Sequence, residues 1–523
     1  MIIVICQLSI AISFSQPTIQ WEKSLGGTSE DSPGQIVQTL DGGYIIIGYS
    51  LSQDGDVTGP YNGTAWIVKL FPSGFIEWQK NYGGNHQDYP VSILQTLDGG
   101  FIVSGNTTSD TFEGVANKPG DAFVLKLNDT GAIQWFKCYS GSGFAQQHKD
   151  NTIVQTLDGG YLFSGSVNAF DSTLVDYHGG TDLWVVKLSD TGSIQWQRCY
   201  GGSNNEAYST AMNKTNDGGY IITCDAFSTD GDVTGNHGGG DYWVLKIDSI
   251  GHILWEKCYG GSGWDVPYSI IQTLDDGYIV TGFAGSTDGD VTGNHGSNDY
   301  WVVKLSDTGA IQWENCFGGT GDDEAGCIIQ NPDSTYIVAG LSLSADGNVT
   351  NNHGIGDDWI IKLNPLGHLI WEQCYGGSND EATNCIIKTT DGGYAFAGYS
   401  YSNDGEVTGH HGSTAGDDYW VVKLNPDTTT GIKEITPSQG ITIYPNPSIN
   451  TITLHLDQLS PAFGGNELEI TDVFGRLIYK ETIHTNDTKI DVTNWNEGVY
   501  FYSLTPTLSK GERQVWRGKI IKE

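Results

Sequence analysis

Short apolar runs bounded by Gly, Asp and Ser follow one another along most of the chain. Residues 255–312 show the pattern in full: WEKCYGGSGWDVPYSIIQTLDDGYIVTGFAGSTDGDVTGNHGSNDYWVVKLSDTGAIQ. SIIQT is one run, and DGYIVTGFA follows it after an Asp-Gly turn. DYWVVKL is the third. The turn SDTG then leads into a fourth run, which opens at Ala310 and carries Trp313. Each run is rich in β-branched and aromatic residues and too short for a helix, so each predicts a strand. Runs such as WVVKL and YIIIG have no polar face. That predicts sheets packed between two neighbouring sheets.

This unit repeats. An I-x-W motif, with Leu for Ile in the last copy, places Trp at 21, 78, 135, 196, 255, 313 and 371, spaced 57 to 61 residues apart. Four short antiparallel strands repeated radially describe a propeller blade, so the expected fold is all-β. It is a seven-bladed β-propeller of about 58-residue, four-stranded repeats. The two ends predict closure. The seventh unit runs DYWVVKLNPDTTTGIKE without an I-x-W strand, while Thr18–Gly27, TIQWEKSLGG, is an I-x-W strand without a unit. The N-terminal strand would complete the seventh blade and remove its open edge. An open solenoid would leave both ends uncapped. LSDTGAIQW resembles the D-x-x-G-x-x-x-W strand pair of quinoprotein-type blades. QTLDGGYIIIG followed by WIVKL resembles the Gly-rich repeats of bacterial surface propellers. These resemblances imply fold and no cofactor.

From about residue 425 the texture changes. Residues 425–440, NPDTTTGIKEITPSQG, read as a linker, which bounds the propeller at 16–424. Alternating runs such as ITIYPNP, TITLHL and GVYFYSL then predict a small β-sandwich over 441–523. Four landmarks fall here in order: Tyr444-Pro445-Asn446-Pro447, Phe474-Gly475-Arg476-Leu477, Gly498-Val499-Tyr500-Phe501 and Gly518-Lys519-Ile520-Ile521-Lys522-Glu523. Together they resemble the type A sorting domain of the type IX secretion system of Bacteroidetes. The resemblance implies the secretion machinery as partner, passage across the outer membrane by way of the periplasm, and release or anchoring to surface lipopolysaccharide. At the other end, MIIVICQLSIAISFSQ is apolar but too short to span a bilayer, and Ser13 and Ser15 suit cleavage before Gln16. It reads as a signal peptide at 1–15, although a basic n-region is missing. No other stretch suggests a transmembrane segment.

Charge is unevenly placed. The chain carries a formal −37. Residues 441–523 hold 8 Lys and Arg against 10 Asp and Glu, so about −35 belongs to the rest. Such a surface repels nucleic acid and anionic lipid, and it suits solubility outside the cell.

Several repeated residues are candidates for chemistry. The loop STDGDVTGNHG occurs at 228–238 and 286–296, with variants at 52, 344 and 402. Asp230, Asp232, Asp288 and Asp290 have the D-x-D spacing of Ca²⁺ loops, but too few oxygens for a complete site. The loop also resembles the structural Asp-box hairpin of other propellers. A His-Gly pair precedes an Asp at His178/Asp182, His237/Asp241, His295/Asp299, His353/Asp357 and His411/Asp417. The first two units lack the His, which excludes a full ring of His ligands. Lys69, Lys126, Lys187, Lys246, Lys304, Lys362 and Lys423 recur in every third strand. They form either an anion-binding ring or, more simply, stems packed between sheets with the ammonium on a turn Asp such as Asp307. Cys316/Cys327 and Cys374/Cys385 share a spacing of 11 and are candidate intra-blade disulfides in an oxidising envelope; small buried thiols are the alternative. Trp264 and Phe144 are candidate aromatic platforms, or rim packing.

No G-x-S-x-G, H-E-x-x-H or P-loop is present. The sequence therefore favours a secreted binding or adhesion module for a glycan or protein. The alternatives are an extracellular polysaccharide- or peptide-degrading enzyme with an acidic site at the channel, and a structural surface protein. Unrepeated carboxylates and aromatics clustered around one channel mouth would favour the enzyme, a broad aromatic or polar face without them would favour binding, and a uniform rim in all blades would favour the structural protein.

Overall fold

The structure is a computed structural model. It describes residues 16–59, 63–116, 120–139, 152–168, 174, 176–412, 416–427, 441–445, 448, 450–456, 466–472, 476–496, 498–506 and 516–522. The expected signal peptide and Phe144 lie outside these residues. Two compact units are present. One is Gln16–Thr428, and the other includes Thr429–Glu523. Among the described residues no helix is long and apolar enough to cross a membrane.

Gln16–Thr428 contains seven four-stranded antiparallel sheets. The first holds strands Asp31–Gln38, Tyr44–Ser50, Thr64–Leu70 and Ile76–Tyr82, in that order. Five more follow with first strands opening at Asp88, Ile153, Glu206, Asp265 and Asp323. The seventh holds Glu381–Lys388, Tyr394–Ser400 and Asp418–Leu424, and its fourth strand is Ile19–Leu25 from the chain's beginning. Each sheet touches the next, and the seventh touches the first, which makes the closed ring that the split unit predicts.

The repeated letters have visible causes. Second and third strands are buried on both faces, and six third-strand tryptophans, Trp66, Trp184, Trp243, Trp301, Trp359 and Trp420, are fully buried. The I-x-W tryptophan reaches across to the next sheet. Trp21 lies 5.6 Å from Tyr44 and Trp255 lies 5.7 Å from Tyr278, ring centre to ring centre. The turn Phe71–Gly74 of that next sheet sits over the same indole. Gly74 has φ +82°, and a Cβ there would meet the Trp21 ring at 2.9 Å, so both backbone and space require glycine. Fourth-strand tyrosines tie sheets together: Tyr82, Tyr200 and Tyr259 donate to the turn carbonyls of Gly131, Gly251 and Gly309 at 2.5–2.6 Å. At the closure Tyr375 donates to Pro17 O in the same way, at 2.5 Å.

The repeated lysines are buried and paired, with a correction to the expected partner. Lys304 bonds Asp275 at 3.0 Å, not Asp307. Lys69, Lys126, Lys187, Lys246 and Lys423 likewise take Asp41, Asp98, Asp158, Asp217 and Asp391, at 2.8–2.9 Å. These aspartates sit in the hairpin between first and second strands, and that hairpin shares an end of the sheet with the turn holding Asp307. Partial burial opposes ionisation of Asp41, but the Thr39 hydroxyl, the Lys69 ammonium and the Gly43 N–H hold its carboxyl down to about 2. With every ammonium occupied by its own sheet or by Asp427, no anion-binding ring forms.

The propeller unit runs past the expected end at Leu424. Asn425 donates its N–H to Thr18 O at 2.9 Å, and Asp427 pairs with Lys362, so the first linker residues belong to the ring.

The expected disulfides are also corrected. All eight described cysteines are thiols. Cys316 lies on Ile311–Phe317, the outer strand of sheet five, while Cys327 lies on Asp323–Gln330, the inner strand of sheet six. Cys374 and Cys385 are divided in the same way between sheets six and seven. The spacing of 11 spans a crossover between sheets, not a turn within one.

The C-terminal unit is a sandwich. Strands Ile441–Tyr444, Thr451–Leu456 and Asp487–Asp491 form one sheet. Asn466–Asp472, Leu477–Ile483, Gly498–Pro506 and Trp516–Lys522 form the other. Ile452, Leu454, Leu468, Ile470, Tyr500 and Ile520 fill the space between them.

Candidate functional site at the channel mouth

The seven first strands surround a central channel, a cavity of about 910 Å³. Its walls carry small or polar residues such as Gly34, Ser92, Thr210, Ser269, Gly326 and Asn384, because larger side chains would fill the axis. One mouth lies at the hairpin end and includes Gln95, Leu97, Leu157 and Lys214. The other lies at the crossover end and includes Glu30, Tyr49, Tyr89, Tyr268 and Tyr399.

The crossover mouth is asymmetric. Tyr49 and Tyr89 meet edge to face at 5.2 Å, and Tyr399 meets Tyr401 at 5.8 Å. All four are partly exposed. The Tyr49 hydroxyl donates to the Glu30 carboxylate, and Tyr89 donates to Gln87 Oε1 at 2.6 Å. Behind them stands Asp417. Its backbone carbonyl accepts the Asp31 N–H at 2.8 Å, its side chain is 3% exposed, and its Oδ1 has no hydrogen-bond partner. Burial, the Glu30 carboxylate and Asp31 push its carboxyl up to about 7. Burial and the charges of Asp417, Glu30 and Asp380 likewise raise Tyr401, to about 12. Sheets seven, one and two thus gather tyrosines and carboxyl groups at this mouth, which Tyr268 of sheet five also lines.

These residues break the repeat. Asp417 stands where the other sheets have Gly63, Gly120, Thr181, Gly240, Asn298 and Gly356. The position of Tyr49 is held in the paired strands by Asn106, Phe283, Leu341 and Tyr399. That departure from the repeat was the signal available in the sequence. It was masked at Asp417, which looks like the partner of His411. In fact His411 bonds Asp418, its N–H at 2.8 Å and its Nδ1 at 2.9 Å. The seventh loop is longer than the others, so the spacing from His to Asp shifts.

The other histidines take the aspartates expected for them. His178, His237, His295 and His353 bond Asp182, Asp241, Asp299 and Asp357 through N–H and Nδ1. Nε2 then faces the next sheet: Asp232 at 3.7 Å from His178, and Asp290 at 4.0 Å from His237.

The repeated acidic loop does not gather a cation site. Asp230 accepts the Ser203 N–H at 2.7 Å. Asp288 accepts the Ser262 N–H at 2.7 Å and its hydroxyl at 2.9 Å. Asp232 accepts the Gly201 N–H at 3.3 Å. The loop aspartates therefore tie the loop between second and third strands to the crossover, an Asp-box-like structural role. Among the described residues no group of three or more His, Cys, Asp or Glu is placed to hold a metal ion. Trp264 is 53% exposed, with its ring edge to face on Phe283 at 5.8 Å.

In the C-terminal unit the sorting landmarks converge. Gly498 pairs with Lys522, Tyr500 with Ile520 and Phe501 with Lys519 across adjacent strands, and Tyr502 pairs with Gly518. Tyr500 is buried against Trp495 and donates to Asn496 O at 2.7 Å. Tyr444 and Arg476 are exposed, and Tyr444 precedes Pro445 through a cis peptide. Asn446, Pro447 and Gly475 lie outside the described residues.

Comparison with known proteins agrees at this end of the chain. Residues 442–522 match the family described as secretion system C-terminal sorting domain. The chain is accordingly cargo of the type IX secretion system, delivered to the cell surface or the extracellular space. One curated relative, ulvan lyase NLR42 of Nonlabens ulvanivorans, is 26% identical over 100 residues. The match covers 19% of this chain and 17% of that protein. Three solved structures are remote relatives in shape. A Bacteroides caccae protein of unknown function has a TM-score of 0.35 at 12% identity, covering 63% of this chain and 93% of its own. A GH43 β-xylosidase/α-arabinofuranosidase from a compost microbial metagenome has 0.29 at 14%, covering 57% and 98%. The PQQ domain of pyranose dehydrogenase from Coprinopsis cinerea has 0.36 at 12%, covering 78% and 98%. Likeness this remote transfers no chemistry.

Proposed function

We propose that Gln16–Thr428 is a binding module that takes a glycan at the crossover mouth of its channel. The observation that carries this reading is the cluster of Tyr49, Tyr89, Tyr399 and Tyr401 beside Glu30. Tyrosine rings offer flat apolar faces to sugar rings, and their hydroxyls, with carboxylate and amide groups, exchange hydrogen bonds with polyols. Carboxylates at the mouth favour neutral or amino sugars over sulfated or uronic ones, because like charges repel at close quarters. The export tail supports an extracellular setting for such a ligand.

The hydrolase alternative draws on the same carboxyl groups, since a carboxyl pushed up to about 7 suits a general acid. It ranks second because Asp417 is 3% exposed and a ligand in the channel cannot reach it.

A glycan-binding screen of the protein, with and without Ca²⁺, tests the reading. Binding is expected to a neutral or amino glycan, insensitive to chelator. Tyr49→Ala and Tyr399→Ala are each expected to weaken it about tenfold, the loss of one stacking contact worth roughly 1–1.5 kcal/mol. Equal binding by these variants sinks the proposed site. Release of reducing ends from a bound glycan moves the assignment to the hydrolase.

A further inference from the structure

Five seams between neighbouring sheets share one arrangement that the mouth does not use. At each seam an aspartate that opens a third strand faces an acidic residue that opens the next sheet's first strand. The pairs are Asp182 with Glu206, Asp241 with Asp265, Asp299 with Asp323, Asp357 with Glu381, and Asp418 with Asp31. All ten are buried. In each aspartate of the first set, one oxygen accepts two bonds from the loop histidine, while Oδ1 is buried without a hydrogen-bond partner.

That orphaned oxygen points at a crossover glycine, and the second carboxylate meets it there. A Cβ on Gly260 would lie 2.7 Å from both Asp241 Oδ1 and Asp265 Oδ2. On Gly318 it would lie 2.9 Å from Asp299 Oδ1 and 2.5 Å from Asp323 Oδ2. Gly201, Gly376 and Gly26 sit in the same relation to their pairs. The seam between sheets one and two is the informative exception. Sheet one has no loop histidine, and Thr64 stands where the aspartate would be, so Gly83 meets Asp88 and a Thr methyl. Histidine and carboxyl pair are lost together.

Two carboxylates brought together out of water cannot both stay ionised without a countercharge. The histidine supplies charge only to the far oxygen. We propose that each of these five seams holds a proton between its two carboxyl groups, so that the ring is clamped in mild acid and loosened as the pH rises. Other groups facing the tested seams are few. Around Asp241 and Asp265 they are His237, Asp290, Glu206, the Tyr242 hydroxyl and the Cys258 and Cys316 thiols. Around Asp299 and Asp323 they are His295, the Tyr300 hydroxyl and the Cys316 and Cys374 thiols, with Asn348 replacing the loop acid. Burial pushes Asp182 and Asp241 up to about 6, and it raises Asp299, Asp323, Asp265 and Glu206. His237 is also raised: burial opposes its charge, but Asp241 and Asp290 outweigh it.

The sign follows. Free aspartates ionise near 3.8, whereas Asp182 and Asp241 hold their protons to about 6. The folded chain therefore binds more protons across that window. Stability is present at its acid side and is lost as pH rises through about 6. The raised His237 acts in the same direction.

Melting of the full chain near pH 5 and near pH 8 is the test, with Asp241→Asn/Asp299→Asn beside the wild type. Asparagine keeps an acceptor for the histidine and places a donor where the proton would be. The wild-type midpoint is expected to fall on going to pH 8, with the variant falling less and melting above the wild type there. Equal pH dependence in both overturns the proposal. An infrared carboxylic-acid band present near pH 6 and weakened near pH 8 in Asp417→Asn, where the Asp417 carboxyl cannot contribute, is the second readout and does not depend on the double variant folding. Its absence near pH 6 also overturns it. If Ca²⁺ at pH 8 restores the acid midpoint and chelator removes it, a cation occupies the pair and the proton does not.

Discussion

Asp417 shows what one residue out of step with its repeat can do. Glycine or a small polar residue fills its place in the other sheets, while here a carboxyl is enclosed beside Glu30 and Asp31. Its ordinary range lies near 3.8 and it is raised to about 7, so the folded state favours its protonated form. The associated stability is present in mild acid and lost as pH rises through about 7. Asp417→Asn is therefore expected to melt like the wild type near pH 5. Near pH 8 it should be more stable by about 1–3 kcal/mol, the cost of an unpaired buried polar group. Urea unfolding at the two pH values measures this, and the same difference at both would contradict it. The residue is plain in the sequence, but its role was not. Nothing in HGSTAGDDYW tells which of two adjacent aspartates turns toward the histidine, because the answer depends on the path of a lengthened loop.

At the scale of strands the chain was far more legible. Apolar runs without a polar face predicted sheets packed on both sides, and the unattached I-x-W strand predicted closure. Both follow from local pattern, and both are found. What local pattern left open was which end of one element meets which end of another. The lysine partner and the cysteine pairs were misread for that reason. Asp307 is nearer Lys304 in sequence than Asp275 is, yet both turns lie at one end of the sheet. A gap of 11 residues reads equally as a hairpin or as a step between sheets. The closing strand allows a direct check. Trp21 packs on Tyr44 of sheet one while its strand pairs with Asp418–Leu424 of sheet seven. Trp21→Ala is expected to cost about 2–4 kcal/mol, somewhat below a fully enclosed tryptophan because one side of the ring stays wet. Deleting residues 16–25 removes the strand and bares the edge of Asp418–Leu424, so lower melting with concentration-dependent association should follow. If thermal scans and light scattering find the deleted chain as stable and as monomeric as the intact one, the seventh sheet does not depend on its borrowed strand.

The whole molecule divides its labour between two units with separate cores. One carries nearly all of the acidity and the candidate ligand site, and the other carries the export landmarks. That division makes a prediction about transport which leaves the ring chemistry untouched. Among the described residues each of the seven sheets is built from strands of 16–424, so a chain ending at residue 440 retains those sheets. It should fold, keep its pH response and bind the same ligand. The landmarks that the secretion machinery would read, among them Gly498 paired with Lys522 and the buried Tyr500, would be gone. Export should then halt after the inner membrane, with folded propeller accumulating in the periplasm. Fractionation with surface protease treatment distinguishes the outcomes. Protease-sensitive propeller on intact cells, from the chain ending at residue 440, would mean that the export signal lies within the ring. A reporter carrying 441–523 alone supplies the converse, because a domain built around its own core should carry that reporter across the outer membrane.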